Sequence, residues 1–116
     1  MLSLSWVRCQ GDVWCSLRRL NLETVSSHGV YIIWHAGQTP RVVYVGQGDV
    51  AVRLAHHRAN PEIMAYEKRG TLFVTWASVP ADHRHGVERY LADKYSPLVG
   101  DAHPMALPIA VNGPWG

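Results

Sequence analysis

The segment Gly29-Val-Tyr-Ile-Ile-Trp-His35 and the segment Arg41-Val-Val-Tyr-Val45 that follows it decide the fold of this chain. Both are rich in β-branched and aromatic residues, which favour strands, and Ala36-Gly-Gln-Thr-Pro40 between them is typical of a turn. The pattern therefore predicts a β-hairpin with a loop of about four or five residues. Because both strands are apolar on both faces, we expect the sheet to be covered on both sides.

Further elements follow the hairpin. Gly46-Gln47-Gly48 ends the second strand, and Asp49 is the predicted N-cap of a helix that extends to about Ala59. The later elements that we expect are a short helical piece over 63–67, a third strand over 71–78 and a second long helix over 80–95. The order hairpin, helix, strand, helix indicates an α/β (α+β) fold, a small three-stranded antiparallel sheet flanked by helices.

The length of 116 residues suits a single domain. Within it we expect a core over about 29–100, an N-terminal extension over 1–28 and a proline-containing coil tail over 101–116. In the extension, the spacing of the apolar residues over 14–20 predicts a short helix or helical turn.

Composition excludes several classes of protein. A hydrophobic share of 47% is too high for intrinsic disorder, and no apolar run is long enough for a transmembrane helix. The start of the chain lacks the features of a signal peptide, so we expect a cytoplasmic protein with Cys9 and Cys15 as reduced thiols. A net charge of +2 does not by itself indicate nucleic acid, although the basic residues are nearly all arginine, which suits phosphate recognition.

Glu88 occupies an unusual position on the second long helix. At about 100° per residue, Leu91 and Tyr95 fall within about 60° of it, so the carboxylate lies inside the apolar stripe. Desolvating a carboxylate is costly unless a metal ion, an arginine or a mechanistic role compensates for it. A glutamate at the rim of the core, paired in a salt bridge, is the alternative interpretation.

Four residues of the hairpin and the first helix carry groups suited to phosphate chemistry. Arg53 and His57 are four residues apart and share a helix face, where they could bind phosphate and move protons. If the hairpin loop has four residues, Tyr31 lies directly across from Tyr44, with the two phenols side by side. A surface Arg-His pair and an ordinary aromatic cross-strand pair are the alternatives. The backbone N–H groups of Gly46-Gln47-Gly48 favour an anion there, although a plain turn also needs glycine.

Taken together, these residues resemble the GIY-YIG nuclease superfamily over roughly 29–100. Gly29-Val30-Tyr31 is similar to the first motif of the family, and Tyr44-Val45-Gly46 is similar to the second. Three later residues match single positions of the family: Arg53 its helical arginine, His57 a position filled by histidine or tyrosine, and Glu88 its metal-binding glutamate. The resemblance implies the same fold, a three-stranded antiparallel sheet flanked by helices.

The resemblance also implies an activity, namely a metal-dependent endonuclease that hydrolyses phosphodiester bonds in DNA with Mg²⁺ or Mn²⁺. Glu88 would bind the metal, and Arg53 would donate to the phosphate. Tyr31 would orient or deprotonate the attacking water, with His57 accepting the proton, and Tyr44 would hydrogen-bond the phosphate or the water. The residues expected to contact nucleic acid are Gln47, Gly48, Arg53 and Arg58.

The chain departs from the family pattern in two places. The family has an asparagine some way after the glutamate, where this chain has Gly100-Asp101, and Asn112 is a candidate substitute. Gln47 stands where many members carry a basic residue. The chain also has no room for the separate DNA-binding modules of many members. Specificity for branched, damaged or other DNA would then come from the domain itself, a homodimer or a partner protein.

Three other hypotheses follow from the same residues. The fold could serve as a catalytically impaired nucleic-acid-binding domain, or as a structural domain that binds a protein partner. A zinc site formed by His57, His85 and Glu88 is the third.

Overall fold

The computed structural model describes residues 1–100 and 105–116. Its strands form one antiparallel sheet, with β2 and β4 in the middle and β1 and β3 at the edges. The strands are β1 (Cys15–Ser16), β2 (His28–His35), β3 (Arg41–Asp49) and β4 (Leu72–Ser78). The predicted hairpin and the predicted third strand are therefore both present, as β2–β3 and as β4. The expectation that the second strand ends at Gly46-Gln47-Gly48 was wrong, because these residues pair with β2 and β3 continues to Asp49. The three-stranded sheet is corrected to four strands by the addition of β1.

The short helix predicted over 14–20 was wrong, since this segment contains β1 (Cys15–Ser16), but the alternative of a helical turn is present directly after it, where the Leu20 N–H donates to the Ser16 carbonyl at 2.9 Å. Cys15 and Ser16 pair with Val74 and Phe73 at the edge of β4. Cys15 and Leu17 are both fully buried, which is the alternation of a strand. The open edge of β4 offers unpaired backbone groups, and pairing with it satisfies more hydrogen bonds than an isolated helical turn would.

The described residues also form three α-helices: α1 (Val50–Arg58), α2 (Pro61–Met64) and α3 (Arg84–Tyr95). The predicted cap of the first helix is present, since the Asp49 carboxylate accepts a hydrogen bond from the Val52 N–H at 3.4 Å. A 3-10 turn over Ala65–Lys68 follows α2. The helix α3 starts four residues later than expected because 80–83 forms a separate turn.

Both faces of the sheet are covered, as its doubly apolar strands predict. On one face, Tyr31 and Ile33 pack in a cluster that includes Leu54 of α1. On the other face, Ile32 and Trp34 of β2 pack in a cluster that includes Leu91 of α3. The helices α1 and α3 thus lie on opposite sides of the sheet, and α3 packs mainly against the edge strand β3.

The two ends of the chain meet on the α3 side. The Leu2 N–H donates to the Ala110 carbonyl at 3.1 Å, and Leu2 forms an isolated bridge with Val111. The first part of the expected coil tail, 101–104, lies outside the described residues, and 105–116 contains neither a helix nor a strand beyond this bridge. None of the described helices is long and apolar enough to cross a membrane.

The expectation of reduced thiols was wrong, because a disulfide joins Cys9 and Cys15. Between them a tight turn contains Gly11 and Asp12, both with positive φ, and the Cys9 N–H donates to the Val13 carbonyl at 2.7 Å. This turn brings the two Cα atoms to 5.2 Å, within the range that a disulfide spans.

Candidate active site

Tyr31 is the centre of the site that the sequence predicts. Its ring is buried in the sheet, with 1% of the residue exposed, and its hydroxyl lies 2.6 Å from Nε2 of His57 on α1. The residue directly across from Tyr31 is Gly46 of β3. A Cβ at Gly46 would lie 2.2 Å from the Tyr31 hydroxyl, so only glycine lets the phenol extend over β3 toward α1.

Tyr44 joins this pair by a different register from the expected one. His35 pairs with Arg41, so the hairpin loop has five residues, and the register shifts by one more residue between Ile33 and Trp34. Tyr44 therefore lies across from Ile33, and not from Tyr31. A displacement of two residues keeps a side chain on the same face, and the Tyr31 and Tyr44 rings are stacked with centroids 6.1 Å apart. The Tyr44 ring also lies 4.4 Å from the His57 ring. The three rings form one cluster, which we call the ring cluster (Tyr31, Tyr44, His57).

Arg53 supplies the positive charge at this cluster. It is exposed one turn before His57 on α1, and its Nε would lie 3.4 Å from a Cβ at Gly48, where φ is +125°. Its charge opposes the rise in the pKa of both phenols and helps to lower the pKa of His57. The guanidinium therefore lies within electrostatic range of the whole ring cluster while it remains open to an incoming anion.

Glu88 brings the negative charge from the other side of the sheet. It is half-buried on α3, and burial raises its pKa to about 7 against the opposing charge of Arg53. Its carboxylate in turn contributes to the raised pKa of Tyr31 and of Tyr44, in both of which burial is the larger cause. Glu88 therefore lies within electrostatic range of both tyrosines and of Arg53, with which it forms no salt bridge within 4.0 Å among the described residues.

The protonation states in the ring cluster follow from these surroundings. Burial, aided by Arg53 and His56, lowers the pKa of His57 to about 4, so the imidazole is neutral at pH 7. Burial raises the pKa of Tyr31, so the phenol keeps its proton and donates a hydrogen bond to Nε2 of His57. This assignment places the imidazole proton on Nδ1 and leaves the lone pairs of the Tyr31 oxygen able to accept a hydrogen bond.

The zinc site of His57, His85 and Glu88 is not formed. Within residues 1–100 and 105–116 no group of three or more His, Cys, Asp or Glu side chains is placed to hold a metal ion. His85 is exposed in the first turn of α3, while His57 is buried under the two tyrosines on the other face. The zinc hypothesis therefore lacks its set of three ligands within the described residues.

Three other residues named from the sequence lie elsewhere. The Arg58 guanidinium donates to the Leu17 carbonyl at 2.6 Å and to the Leu20 carbonyl, so it holds the N-terminal extension against α1. The Asn112 amide is paired with the backbone of Leu4, accepting at 2.7 Å and donating at 2.9 Å, and it does not serve the ring cluster. Gln47 is half-buried in β3 across from Val30, on the face opposite Tyr31.

Two glycines matter to the site although their role was not expected from the sequence. Gly46 leaves the space that the Tyr31 ring fills. In the sequence, only its place directly after Tyr44-Val45 could have indicated this role. A Cβ at Gly100 would lie 3.2 Å from the Tyr44 ring, so the chain after α3 passes close to this phenol. Asp101, which follows it where the family has asparagine, lies outside the described residues.

We compared the chain with models of protein families, with curated proteins and with solved structures, and none of the three comparisons gave a match.

Proposed function

We propose that this protein is a metal-dependent endonuclease of the GIY-YIG type that hydrolyses phosphodiester bonds in DNA. The observation that carries the proposal is the 2.6 Å hydrogen bond between Tyr31 and His57 within electrostatic range of Arg53 and Glu88. Elements that are far apart in sequence, β2, α1 and α3, thus place an arginine and a glutamate within electrostatic range of a neutral phenol–imidazole pair. The α+β class and the antiparallel β2–β3 hairpin agree with the resemblance, although the sheet has four strands in the described residues where the resemblance implies three.

Tyr31 and His57 are suited to the proton transfer. The neutral imidazole accepts from the phenol, and the phenol oxygen in turn accepts from the attacking water. As the water attacks, its proton passes to Tyr31 while the proton of Tyr31 passes to Nε2 of His57. The low pKa of His57 disfavours this transfer in the resting site, and the negative charge of a bound phosphate favours it, since an imidazolium is stabilised by a nearby anion.

Arg53 and Tyr44 are suited to holding the scissile phosphate. Arg53 is exposed next to Gly48, so its N–H groups can donate to phosphate oxygens as negative charge develops on them. Burial and Glu88 keep the pKa of Tyr44 high, so Tyr44 stays a phenol that can donate to the same phosphate.

Glu88 fits a role as the protein's ligand to Mg²⁺ or Mn²⁺. A half-buried carboxylate with a pKa of about 7 is destabilised as an anion, and a divalent cation is a strong compensating charge. When bound, the ion supplies a Lewis acid that stabilises charge on the phosphate and the leaving oxygen. Because no group of three or more His, Cys, Asp or Glu side chains is placed to hold a metal within the described residues, Glu88 would bind the ion together with water and the substrate phosphate.

A cleavage assay on single-stranded, duplex and branched DNA with Mg²⁺ or Mn²⁺ tests the proposal. We expect cleavage by the natural protein, and its loss in Tyr31→Phe, Arg53→Ala and Glu88→Gln with the fold retained. The matched controls are Tyr90→Phe, Arg19→Ala and Glu62→Gln, which change the same residue types outside the site. The absence of cleavage on every DNA substrate with either metal would contradict the proposal.

A nucleic-acid-binding domain without cleavage is the second candidate. It is favoured by the engagement of the Asn112 amide with Leu4, which leaves the described part of the site without the family's asparagine. It predicts salt-dependent DNA binding that Glu88→Gln leaves unchanged and no cleavage with either metal. A structural partner-binding domain is the third candidate, and it predicts no DNA binding. A cytoplasmic location and a homodimer or partner protein as the source of specificity belong to the proposal as well.

A further inference from the structure

An aromatic pocket lies at the hairpin end of the sheet, on the α3 face. It is a cavity of about 460 Å³, within the size range of small-ligand sites. Its aromatic lining is Trp34 of β2, Tyr95 at the end of α3 and Trp115 of the tail. The Trp115 ring meets the Trp34 ring edge-on at 4.9 Å and the Tyr95 ring at 5.4 Å, and Trp115 is 45% exposed. A large aromatic side chain at the mouth of an apolar cavity is suited to stacking on a planar ligand.

Arg41 sets the charge at the rim of this pocket. It is exposed, and its Nη2 donates to the Ser96 carbonyl at 3.2 Å. No carboxylate pairs with it within the part of the chain that the structure describes. A guanidinium here repels a cationic ligand, which is the other class that aromatic cages bind, and its free N–H groups suit a phosphate.

Tyr95 adds an aromatic ring to the wall, next to Trp115. Its hydroxyl does not face the cavity, because the oxygen is buried against Gly113, and it has no hydrogen-bond partner in residues 1–100 and 105–116. The combination of a stacking surface and a cation matches a nucleotide better than it matches a purely apolar ligand.

The position of the pocket relates it to the candidate active site. Glu88 and Tyr95 are seven residues apart on α3, two turns of the helix, so they lie on nearly the same face about 10 Å apart. That distance is about three stacked nucleotides along one DNA strand.

We propose that the aromatic pocket binds one unpaired nucleobase of the DNA strand that is cut, within about three nucleotides of the scissile phosphate. The base stacks on Trp115, and the phosphate next to it contacts Arg41. The position relative to the cut rests on the proposed endonuclease function, whereas the binding of a base does not. The substrate class would then be DNA with an unpaired nucleotide near the cut.

Binding is tested first, with EDTA present so that no metal-dependent cleavage occurs. The fluorescence anisotropy of labelled (dT)8 is compared with that of an abasic octamer of equal charge, using the full chain. We expect (dT)8 to bind more tightly, and Trp115→Ala to weaken its binding by roughly 5- to 100-fold, to the abasic level. Trp115→Phe should retain most of the affinity, and Leu107→Ala is the control on the exposed tail. Arg41→Ala should weaken the binding of both oligonucleotides alike and reduce the slope of log K against log salt concentration by about one.

Equal affinity of the natural protein for the two oligonucleotides would overturn the proposal, and this comparison stands even if Trp115→Ala does not fold. Unchanged (dT)8 binding by folded Trp115→Ala would also overturn it, as would a proline-rich peptide that binds the pocket in place of (dT)8.

Cleavage is tested second, on duplexes that carry one unpaired thymidine at varied positions. We expect the cuts of the natural protein to map within about three nucleotides of that thymidine, and Trp115→Ala to cut without this preference. If Trp115→Ala cuts at the same places and rates as the natural protein, the pocket proposal fails and the endonuclease stands. If nothing is cut but base-dependent binding persists, the endonuclease fails and the pocket is a base-binding site.

Discussion

Replacing Glu88 with glutamine should change how the stability of the folded protein depends on pH. The carboxyl titrates near 7 in the folded chain, against an ordinary value of 4.5. The folded state therefore binds more protons than the unfolded state between these values, and the free energy of unfolding falls as pH rises through this window. The full difference corresponds to about 3 kcal/mol, and screening of a half-buried group reduces it to about 1–2 kcal/mol.

His57 has the opposite effect on stability over an overlapping range. Its pKa is about 4 when folded and 6.5 when free, so its contribution is present above pH 6.5 and is lost as pH falls toward 4. Between pH 4.5 and 6.5 the two effects oppose each other, and the natural protein should have a nearly flat stability profile there. Glu88→Gln removes one of them and should reveal the loss of stability on acidification that His57 causes.

The assay is urea unfolding followed by tryptophan fluorescence at pH 5 and pH 8, with EDTA present. At pH 8 Glu88→Gln should be more stable than the natural protein by about 1–2 kcal/mol, and at pH 5 the difference should be close to zero. Glu62→Gln, at an exposed position on α2, should show a much smaller pH-dependent difference. An equal effect of Glu88→Gln at both pH values would refute the argument that burial raises the pKa of Glu88.

Three further predictions concern the packing around the site. Tyr31→Phe removes the hydrogen-bond donor to the buried Nε2 of His57 and should lower the free energy of unfolding by about 1–3 kcal/mol. Chemical denaturation measures this change, and an unchanged midpoint would contradict the 2.6 Å hydrogen bond. Gly46→Ala places a methyl group 2.2 Å from the Tyr31 hydroxyl and should lower the stability by about 1–3 kcal/mol and abolish cleavage, whereas a fully active variant would show that the phenol does not extend over β3. Arg58→Ala removes the hydrogen-bond donors to the Leu17 and Leu20 carbonyls, so the N-terminal extension should become sensitive to limited proteolysis. The salt dependence of DNA binding should stay the same, and a weaker salt dependence would indicate that Arg58 contacts DNA.

The parts of the fold that could be predicted are those with local causes. The two apolar segments around Ala36–Pro40 and the cap at Asp49 depend on neighbouring residues, and the structure has the hairpin and α1 where these patterns place them. The position of Glu88 in an apolar stripe was also readable, because the period of a helix fixes which residues share its face. The elevated pKa of Glu88 is the physical consequence of that position.

The parts that could not be predicted depend on residues distant in the chain. The strand β1 forms because β4 has an open edge, and the sequence of 14–20 carries no information about that distant edge. The disulfide Cys9–Cys15 depends on a turn whose geometry their spacing does not reveal. Arg58 and Asn112 were predicted to serve the active site, but their side chains form hydrogen bonds with backbone carbonyl and amide groups of the N-terminal extension.

Local sequence patterns are enough to place two phenols, an arginine and a histidine near the hairpin and α1, and a glutamate in the apolar stripe of a helix. The distances between these groups depend on tertiary packing. A five-residue hairpin loop and the register shift together put Gly46 rather than Tyr44 across from Tyr31, and the absence of a side chain at Gly46 lets the phenol reach His57. Local patterns follow from short-range backbone preferences, whereas these distances follow from how two faces of one sheet are packed, which involves the whole chain at once.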